Sequence, residues 1–493
     1  MITDLKPYSS MKDSGVPWLR EVPEHWEIRR LRTAAGTRVS NVDKHTKDGE
    51  LPVRLCNYVD VYKNNRIRES MTFMRATATA DEIQRFHLKI GDVLITKDSE
   101  TWDDIGVPAL VDESADDLVC GYHLALLRPS SDRLLGGYLF RAIQSTGVAY
   151  QFHVEANGVT RYGLSHEAIK SVGLPVPPIF EQAAIVRFLD YADRRIRRYI
   201  RAKQKLIKLL EEQKQAIVHR AVTRGLDPDV RLKPSGVEWL GDVPEHWEVL
   251  KLARMIADGP RNGTSPPIDE RGTIESFSIS AIRDGQVDVR DGDKKYISGD
   301  RIALETAYRL LRGDVLLVRG NGNVRLVGRA GLVTHDMPGR VYPDLLMRIR
   351  LTRRCVPEFL VASLTCPAGR DQIETAARTA VGTFKINNHQ VRQLCFAFPP
   401  VAEQKSIIDW LSDSLGALKT ASSRAEEEIA LLREYRTRLI ADVVTGKLDV
   451  REAAARLPVE GEETEPLEES DALADSDFEP ADDLDAAPAE ADV

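Results

Sequence analysis

The chain has 493 residues, enough for two to four domains that each bury their own core. It contains no apolar run of about 18 residues and no apolar signal-peptide core, which disfavours membrane and secreted classes, so we expect a soluble, cytoplasmic protein. The net charge of −8 argues superficially against a polyanion partner, but the charge is unevenly distributed along the chain.

A fourteen-residue segment near the N-terminus occurs twice. Residues 14–27 (SGVPWLREVPEHWE) and 235–248 (SGVEWLGDVPEHWE) are identical at eleven of fourteen positions, at an offset of 221. A period this long matches a whole domain rather than a solenoid repeat. The echo continues at an offset of 222 in the pairs 91–94 and 313–316, 177–182 and 399–404, 209–210 and 431–432, and 223–227 and 445–449.

Between these anchors the two copies diverge. Residues 41–85 and 260–309 share little sequence. A shared scaffold with divergent patches is what two recognition modules for different targets would show, although an old duplication that drifted would look similar. The sequence therefore predicts two copies of one domain, with specificity in the unshared segments.

Each copy is predicted to be a mixed α/β (α+β) domain. Gly-Asp turns precede apolar runs that are typical of buried strands, and helical patterns follow in each copy. The predicted strands are 92–95, 124–127, 314–318 and 346–349, and the predicted helices are 137–145 and 356–364.

Polar loops between these elements carry groups that suit base edges and phosphates. Arginine reads guanine and asparagine reads adenine, and both also bind phosphate. A Gly, hydroxyl and basic residue recur at 158–162 and 382–386. The candidate DNA-binding residues of the first copy are Lys63, Asn64, Asn65, Arg66, Arg68 and Arg161, and those of the second are Arg261, Asn262, Arg319, Asn321, Asn323, Arg325 and Lys385.

A long helix is predicted after each Pro-Pro, because proline favours a helix boundary. Residues 181–221 and 403–443 carry apolar positions spaced three and four apart, a coiled-coil-like seam with polar intrusions at Lys203 and Glu428. About 40 residues give a rod of roughly 60 Å. We expect the two helices to form an antiparallel pair; the alternative is that each packs only on its own domain. The seam positions are Ile185, Leu189, Ala192, Ile196, Tyr199, Leu206, Leu210 and Ile217 in the first helix, and Ile407, Leu411, Leu418, Ala421, Ala425, Leu432, Tyr435 and Leu439 in the second.

The first helix is strongly basic. Residues 194–224 carry eleven Lys or Arg against two Glu, a net charge of +9. Such a run is usually a solvated face, but it also creates a field that attracts a polyanion. We expect Arg197, Arg198 and Arg201 to touch phosphates without reading sequence.

The C-terminal end is strongly acidic. Residues 457–493 contain fifteen Asp or Glu and no Lys or Arg, so residues 1–456 carry +7. This composition predicts a disordered tail. The predicted domains are therefore 1–178 and 227–400 (recognition domains), 179–226 and 401–449 (spacer helices) and 450–493 (acidic tail).

Signatures of catalysis are missing from the sequence. There is no phosphate-binding loop of the G-x-x-x-x-G-K-[ST] type and no Asn-Pro-Pro-Tyr or Asp-Pro-Pro-Tyr segment. His25 and His246 lack nearby metal ligands, and we interpret the repeated Pro-Glu-His-Trp-Glu as a structural corner in which Trp26 and Trp247 fill a core. No metal or cofactor site is predicted. Five cysteines without a C-x-x-C pair predict free buried thiols: Cys56, Cys120, Cys355, Cys366 and Cys395.

Taken in order and twice over, the motifs resemble the specificity subunit of type I restriction–modification systems across residues 10–450. These motifs are Ser-Gly-Val-x-Trp-Leu, Pro-Glu-His-Trp-Glu, Gly-Asp-Val-Leu, Pro-Pro-x-x-Glu-Gln and Thr-Gly-Lys-Leu-Asp. The resemblance implies two target recognition domains that each read one half of a bipartite double-stranded DNA site. It implies spacer helices that dock two methyltransferase subunits, which bind S-adenosylmethionine and methylate adenine, with a restriction subunit as a further partner. It implies that this chain is itself no enzyme.

Three other interpretations stay open from the residues. One is a DNA-binding fragment of a fused restriction–modification enzyme, which the absent catalytic motifs disfavour. Another is a stand-alone regulator with two DNA-reading heads. The third is a coiled-coil scaffold that binds no nucleic acid.

Overall fold

The computed structural model describes residues 5–130, 132–269, 272–380 and 382–458. These residues divide into two compact units. The first contains the chain up to Lys203 together with the segment from Glu427 onward, and the second contains Gln204–Glu426. Each unit therefore holds one α/β domain and parts of both long helices.

A five-stranded sheet forms the centre of the first unit. Val93–Thr96 pairs antiparallel with Leu124–Pro129 on one side and with Pro108–Val111 on the other. The predicted apolar runs form these strands because both of their faces are covered, and all four residues of Val93–Thr96 are buried. The strand order across the sheet is Ala35–Val39, Leu124–Pro129, Val93–Thr96, Pro108–Val111 and Arg66–Ile67.

Smaller sheets and helices surround this centre. The remaining strands pair as Met11–Asp13 with Glu21–Pro23, Glu27–Arg30 with Gly173–Val176, Leu51–Cys56 with Met74–Ala78 and Leu118–Cys120, and Tyr162–Gly163 with Asn157–Gly158 and Asp98–Ser99. The shorter helices are Leu31–Ala34, Tyr58–Lys63, Ala80–Phe86, Gly136–Gln144, Thr146–Glu155, His166–Ser171 and Arg451–Ala455.

The second unit repeats this centre. Val315–Val318 lies between Leu346–Leu351 and Ala330–Leu332, as its counterpart does in the first unit. The six-stranded order is Ile256–Asn262, Leu346–Leu351, Val315–Val318, Ala330–Leu332, Gln286–Val287 and Ile282–Arg283. The mixed α/β fold class and the predicted strands and helices near them are thus confirmed, with bounds that differ by one or two residues.

Further elements complete the second unit. The remaining strands pair as Leu232–Pro234 with Asp242–Pro244, Glu248–Lys251 with Cys395–Phe398, Ile274–Phe277 with Lys294–Ile297, and Thr383–Lys385 with Gly320–Asn321 and Arg378–Ala380. The shorter helices are Arg301–Tyr308, Pro357–Thr365, Pro367–Ala376 and Asn388–Gln393, with 3₁₀ turns at Leu252–Arg254, Ile279–Ala281, Asp291–Asp293 and Val324–Leu326.

The two long helices span Ile179–Arg224 and Val401–Val444. In the first unit the start of the first helix packs against the end of the second, in a core that joins Leu189 to Leu439. In the second unit the end of the first helix packs against the start of the second, around Ala221 and Ile407. The helices therefore run antiparallel, as predicted. Each end also packs on an α/β domain.

The middle of the predicted seam differs from expectation. Lys203 and Glu428 form an ion pair of 2.5 Å between the helices. Tyr199 and Leu206, predicted at the seam, are 52% and 40% exposed, and Ile200 is buried instead. A straight helix has 3.6 residues per turn, so a strict alternation of three and four drifts off the buried face over several turns.

The first residues of the predicted acidic tail have a defined structure. Arg451–Ala455 forms a short helix, and Val450 and Ala454 are buried in the core of the first unit. These two apolar residues precede the acidic composition, and the expectation of disorder from residue 450 is wrong for residues 450–455. Residues 459–493 lie outside the described residues.

All five cysteines are free, as predicted, and four of them are buried. Among the helices that the structure describes, none is both long and apolar enough to cross a membrane.

Candidate nucleic-acid interface

The repeated Pro-Glu-His-Trp-Glu motif anchors each domain to the start of a long helix. In the first unit Glu181 is buried and accepts hydrogen bonds from the Trp26 indole at 2.9 Å and the Tyr8 hydroxyl at 2.8 Å. His25 Nε2 lies 2.7 Å from the second carboxylate oxygen. Burial and the adjacent Glu181 carboxylate raise the pKa of Tyr8. The motif therefore has a structural role in this unit.

The second unit contains the same anchor. Glu403 accepts from the Trp247 indole at 3.0 Å, and His246 lies 2.9 Å from its other oxygen. Both Trp26 and Trp247 are fully buried, so the structural-corner interpretation is confirmed.

The glutamine that follows each anchoring glutamate fixes the helix start. Gln182 donates to the Pro177 and Arg133 carbonyls and accepts from the Leu135 amide, each at 2.8 Å. Gln404 makes the equivalent bonds to Pro399, Arg354 and Val356 at 2.7–2.9 Å. Each buried amide thus joins the long helix to the loop before a domain helix, and so fastens the α/β domain to the start of that long helix.

A glycine ends each long helix against the tryptophan of an anchor. Gly225 and Gly446 have φ of 73° and 71°, the left-handed conformation of a helix C-terminus. A Cβ at Gly225 would lie 3.3 Å from Trp247, and one at Gly446 would lie 3.3 Å from Trp26. The sequence predicted only a helix stop at these positions.

In the second unit the predicted DNA-binding residues meet at one end of the central sheet. Arg261 and Asn262 end one edge strand, and Asn262 lies beside Met347 in the register. Met347 in turn lies beside Leu317 of the strand Val315–Val318, and Arg319 is the first residue after that strand. Lys385 pairs with Gly320, the next residue. The strand ends thus bring four predicted cations or amides from three separate segments together.

The loop after Val315–Val318 is built by asparagines. The Asn321 side-chain oxygen accepts from the Asn323 amide at 2.8 Å, and the Asn323 oxygen accepts from the Arg325 amide at 3.0 Å. Successive Asx turns of this kind fix the backbone locally. Among the described residues the NH₂ groups of Asn321 and Asn323 have no acceptor, while their oxygens hold the loop.

The cations at this end carry uncompensated charge. Within the part of the chain that the structure describes, the side chains of Arg319, Arg325 and Lys385 make no hydrogen bond or ion pair, and Arg261 only lies over the Tyr308 ring, at 5.7 Å. Four positive groups without carboxylate partners at one surface would attract a phosphate backbone. The strand ends of the second unit are therefore a candidate nucleic-acid interface.

The predicted residues of the first copy lie differently. Arg66 makes ion pairs with Asp112 at 2.8 Å and with Asp190 of the first long helix at 2.9 Å. The Asn65 side-chain oxygen accepts from Gln144, and the Asn64 amide donates to the Asp60 carbonyl. These three residues serve the domain interior and its joint with the helix. Lys63 and Arg68 are exposed beside them.

This joint of the first unit is ionic. Arg141, which is buried, lies 2.7 Å from Asp190 and 3.3 Å from Asp193, and Arg436 of the second long helix lies 2.5 Å from Asp193. Burial opposes ionisation of Asp193, but Arg141, Arg436 and Arg197 outweigh it and lower its pKa to about 2. The cluster therefore positions the domain on both helices, with the Asp193 carboxylate ionised at neutral pH.

The basic stretch of the first helix is partly used in this cluster. Arg197 lies 3.2 Å from Asp193 and its side chain is only 14% exposed. Arg198 is exposed and Arg201 is half-buried. Contact of these three with phosphates stays a prediction.

The first unit has an equivalent strand-end surface, which includes the predicted Arg161 together with residues that the sequence analysis did not name. Arg161 is exposed at the tip of a hairpin whose strand Tyr162–Gly163 pairs with Asp98–Ser99. Asp98 lies 3.3 Å from Lys97 and 2.5 Å from His123. Sequence reasoning missed residues 97–107. The offset of 222 would have revealed them, because it pairs Lys97 with Arg319 and Gly106 with Gly328.

Comparisons with known proteins agree with these features. Residues 25–209 match the family model of the type I restriction modification DNA specificity domain. The type I restriction enzyme EcoKI specificity subunit of Escherichia coli (strain K12) is 24% identical over 331 residues, 66% of this chain and 68% of that relative. The putative type I restriction enzyme MjaX specificity subunit of Methanocaldococcus jannaschii is 25% identical over 250 residues, 50% of this chain and 56% of that relative.

A solved structure shares the fold. A chain from a structure on complex assembly and conformational transition of the type I R-M system superposes with a TM-score of 0.64 at 16% identity, covering 87% of this chain and 99% of the other. The resemblance inferred from the motifs is confirmed.

Proposed function

Because the chain carries a DNA specificity domain of the type I restriction–modification family, we propose that it is the subunit that selects the DNA sequence for such a complex. In this proposal each unit reads one half of a bipartite site on double-stranded DNA. The chain binds and positions, and catalysis belongs to its partners.

One observation carries the proposal. The same strand-end surface occurs once in each unit, on equivalent anchors, yet different side chains occupy it. A protein that reads two unlike half-sites needs this combination, because the scaffold must place both surfaces while the loops supply the discrimination.

The partners follow from the family and are part of the proposal. Two methyltransferase subunits that bind S-adenosylmethionine and methylate adenine dock on the long helices, and a restriction subunit is a further partner of the same complex. No residue of this chain is assigned to the cofactor. The long helices set the spacing between half-sites, since both α/β domains are fixed to helix starts by Glu181 and Glu403.

Methylome sequencing tests the function directly. Genomic N6-methyladenine is mapped in the host with and without the gene for this chain. We expect one bipartite motif that disappears without the chain. Methylation that is independent of the chain would contradict the proposal, and a chain that fails to shift any duplex at low salt would favour a scaffold without nucleic acid.

Helix length gives a second test. Insertion of seven residues, two helical turns, into each long helix near Lys203 and Glu428 should lengthen the unread spacer and leave both half-sites unchanged. An altered half-site sequence would contradict the spacing role. A substitution of Lys203 and Glu428 without insertion is the control, and it should change neither spacer nor half-site.

A further inference from the structure

The loops that follow the central strand are equivalent in the two units. Residues 97–107 follow Val93–Thr96, and residues 319–329 follow Val315–Val318. In each loop a glycine near the end returns to the strand: the Gly106 amide donates to the Thr96 carbonyl at 3.0 Å, and the Gly328 amide donates to the Val318 carbonyl at 2.7 Å. Their φ values are 78° and 76°. The two loops therefore occupy the same place on the same scaffold.

The charges of these loops are opposite. Residues 97–107 contain one Lys and four Asp or Glu, a net charge of −3, whereas residues 319–329 contain three Arg and no acid, a net charge of +3. At the equivalent position of each loop stand Asp103 and Arg325, both exposed. The two loops therefore differ by six charges although they occupy equivalent places. The scaffold cannot account for this difference, because the anchors are the same in both units.

The backbone that carries Arg325 is held by hydrogen bonds on both sides of the residue. It lies in a 3₁₀ turn, Val324–Leu326, capped by the Asn323 side chain. Arg370 of the helix Pro367–Ala376 donates to the Val327 carbonyl at 2.7 Å and to the Arg325 carbonyl at 3.1 Å. The backbone that carries Arg325 is therefore clamped to a helix, while its guanidinium has no partner among the described residues.

This arrangement suits contact with a base edge. A bidentate contact needs the guanidinium to be delivered from a fixed backbone position, which the clamped turn gives Arg325. The flanking cations Arg319 and Lys385 can hold the backbone of the DNA. The amide donors of Asn321 and Asn323 lie on the same loop.

We propose, on the basis of the proposed function, that Arg325 is a specificity-determining residue. It reads one guanine through the O6 and N7 atoms of that base in the major groove. This guanine lies only in the half-site bound by the second unit. The equivalent acidic loop of the first unit makes no such contact, because carboxylates cannot donate to these two acceptors.

Methylome sequencing and binding to variant duplexes test this inference. One guanine of one half-site should become degenerate in Arg325→Ala, with a roughly 5- to 150-fold loss of its preference over other bases. Arg325→Lys keeps the charge and can still donate to both acceptors but lacks the planar fork, so we expect a partial loss of the preference with most of the salt-dependent affinity kept.

Two matched variants serve as controls. Arg353→Ala removes one exposed positive charge just after Leu346–Leu351, the opposite end of the same sheet, and should leave the motif unchanged. Asp103→Asn changes the equivalent position of the first unit and should leave the guanine unchanged.

Two results would overturn the inference. They are a uniform loss of affinity in Arg325→Ala with the motif intact, and degeneracy that falls in both half-sites. A motif that depends on the chain but not on Arg325 would contradict this inference alone, whereas the absence of any chain-dependent motif would contradict the proposed function.

Discussion

The two α/β units differ most in the loops that follow their central strands and least in the Glu-His-Trp anchors at the starts of the long helices. Loops 97–107 and 319–329 carry opposite charge at the same place, whereas Glu181 and Glu403 hold the same His-Trp pair in both units. The anchors stabilise the fold, and the loops differ between the units without disturbing it. Duplication therefore leaves a constant scaffold on which recognition can diverge.

A second difference lies at the joints between domain and helix. The first unit uses the ionic cluster of Arg66, Arg141, Asp190 and Asp193. At the positions equivalent to Arg141, Asp190 and Asp193, the second unit has Ser363, Ser412 and Leu415. Its joint is therefore apolar, around Leu411 and Ile407. The same geometry is stabilised by charge in one unit and by apolar burial in the other.

The largest expected effect tests the shared anchor. Trp26→Ala and Trp247→Ala should each destabilise the protein by about 3–5 kcal/mol, because each removes a fully buried indole and leaves a cavity. Urea unfolding followed by circular dichroism measures this. The exposed Trp410→Ala is the control, with an expected cost below about 1 kcal/mol. A small cost for only one of the buried tryptophans would break the equivalence of the anchors.

The anchoring carboxylates should differ in strength. Glu181 is 1% exposed and Glu403 is 32% exposed. Glu181→Ala leaves the Trp26 and Tyr8 donors buried without an acceptor, so we expect a loss of about 3 kcal/mol, against about 1 kcal/mol for Glu403→Ala. Glu181→Gln, which keeps an acceptor, should lie between them. Equal costs in the same urea titration would show that burial does not distinguish the two anchors.

The ionic joint should make the attachment of the first domain to its helices sensitive to acid. The pKa of Asp193 is lowered from 3.8 to about 2, so its contribution is present above pH 3.8 and is lost as the pH falls towards 2. The size of this shift corresponds to roughly 2 kcal/mol at neutral pH. Asp193→Asn should therefore be destabilised at pH 7, and the difference from wild type should narrow below pH 4. A constant difference across the pH series would rule out the linkage.

The smallest effect concerns the loops. Arg325→Ala and Asp103→Asn should each change the free energy of unfolding by no more than about 0.5 kcal/mol, since neither side chain has a hydrogen-bond or ion-pair partner among the described residues. Thermal unfolding by calorimetry is sufficient. A marked destabilisation would mean that the loops also stabilise the fold. The loops and the anchors would then not differ in their contribution to the free energy of unfolding.

Part of the fold and of the candidate site could be predicted because it depends on local pattern. The spacing of Arg319, Asn321, Asn323 and Arg325 after an apolar run indicated a loop at a strand end, and the structure places these residues there. The corresponding loop of the first copy was harder to predict, because its sequence does not resemble that of the second copy. Only the constant offset, together with Gly106 and Gly328, identifies residues 97–107 as the counterpart.

The sequence by itself determined the duplication, the α/β class of each copy and the two long helices, since repeats and periodicity are local properties of the chain. The tertiary structure decided which charged side chains remain available. Arg66 and Arg325 are the same residue type in polar segments, yet Arg66 meets Asp190, 124 residues away, and Arg325 meets no carboxylate among the described residues. Whether an arginine forms an ion pair or stays available to a ligand depends on the carboxylates that distant segments bring to it. Only the folded chain specifies those neighbours.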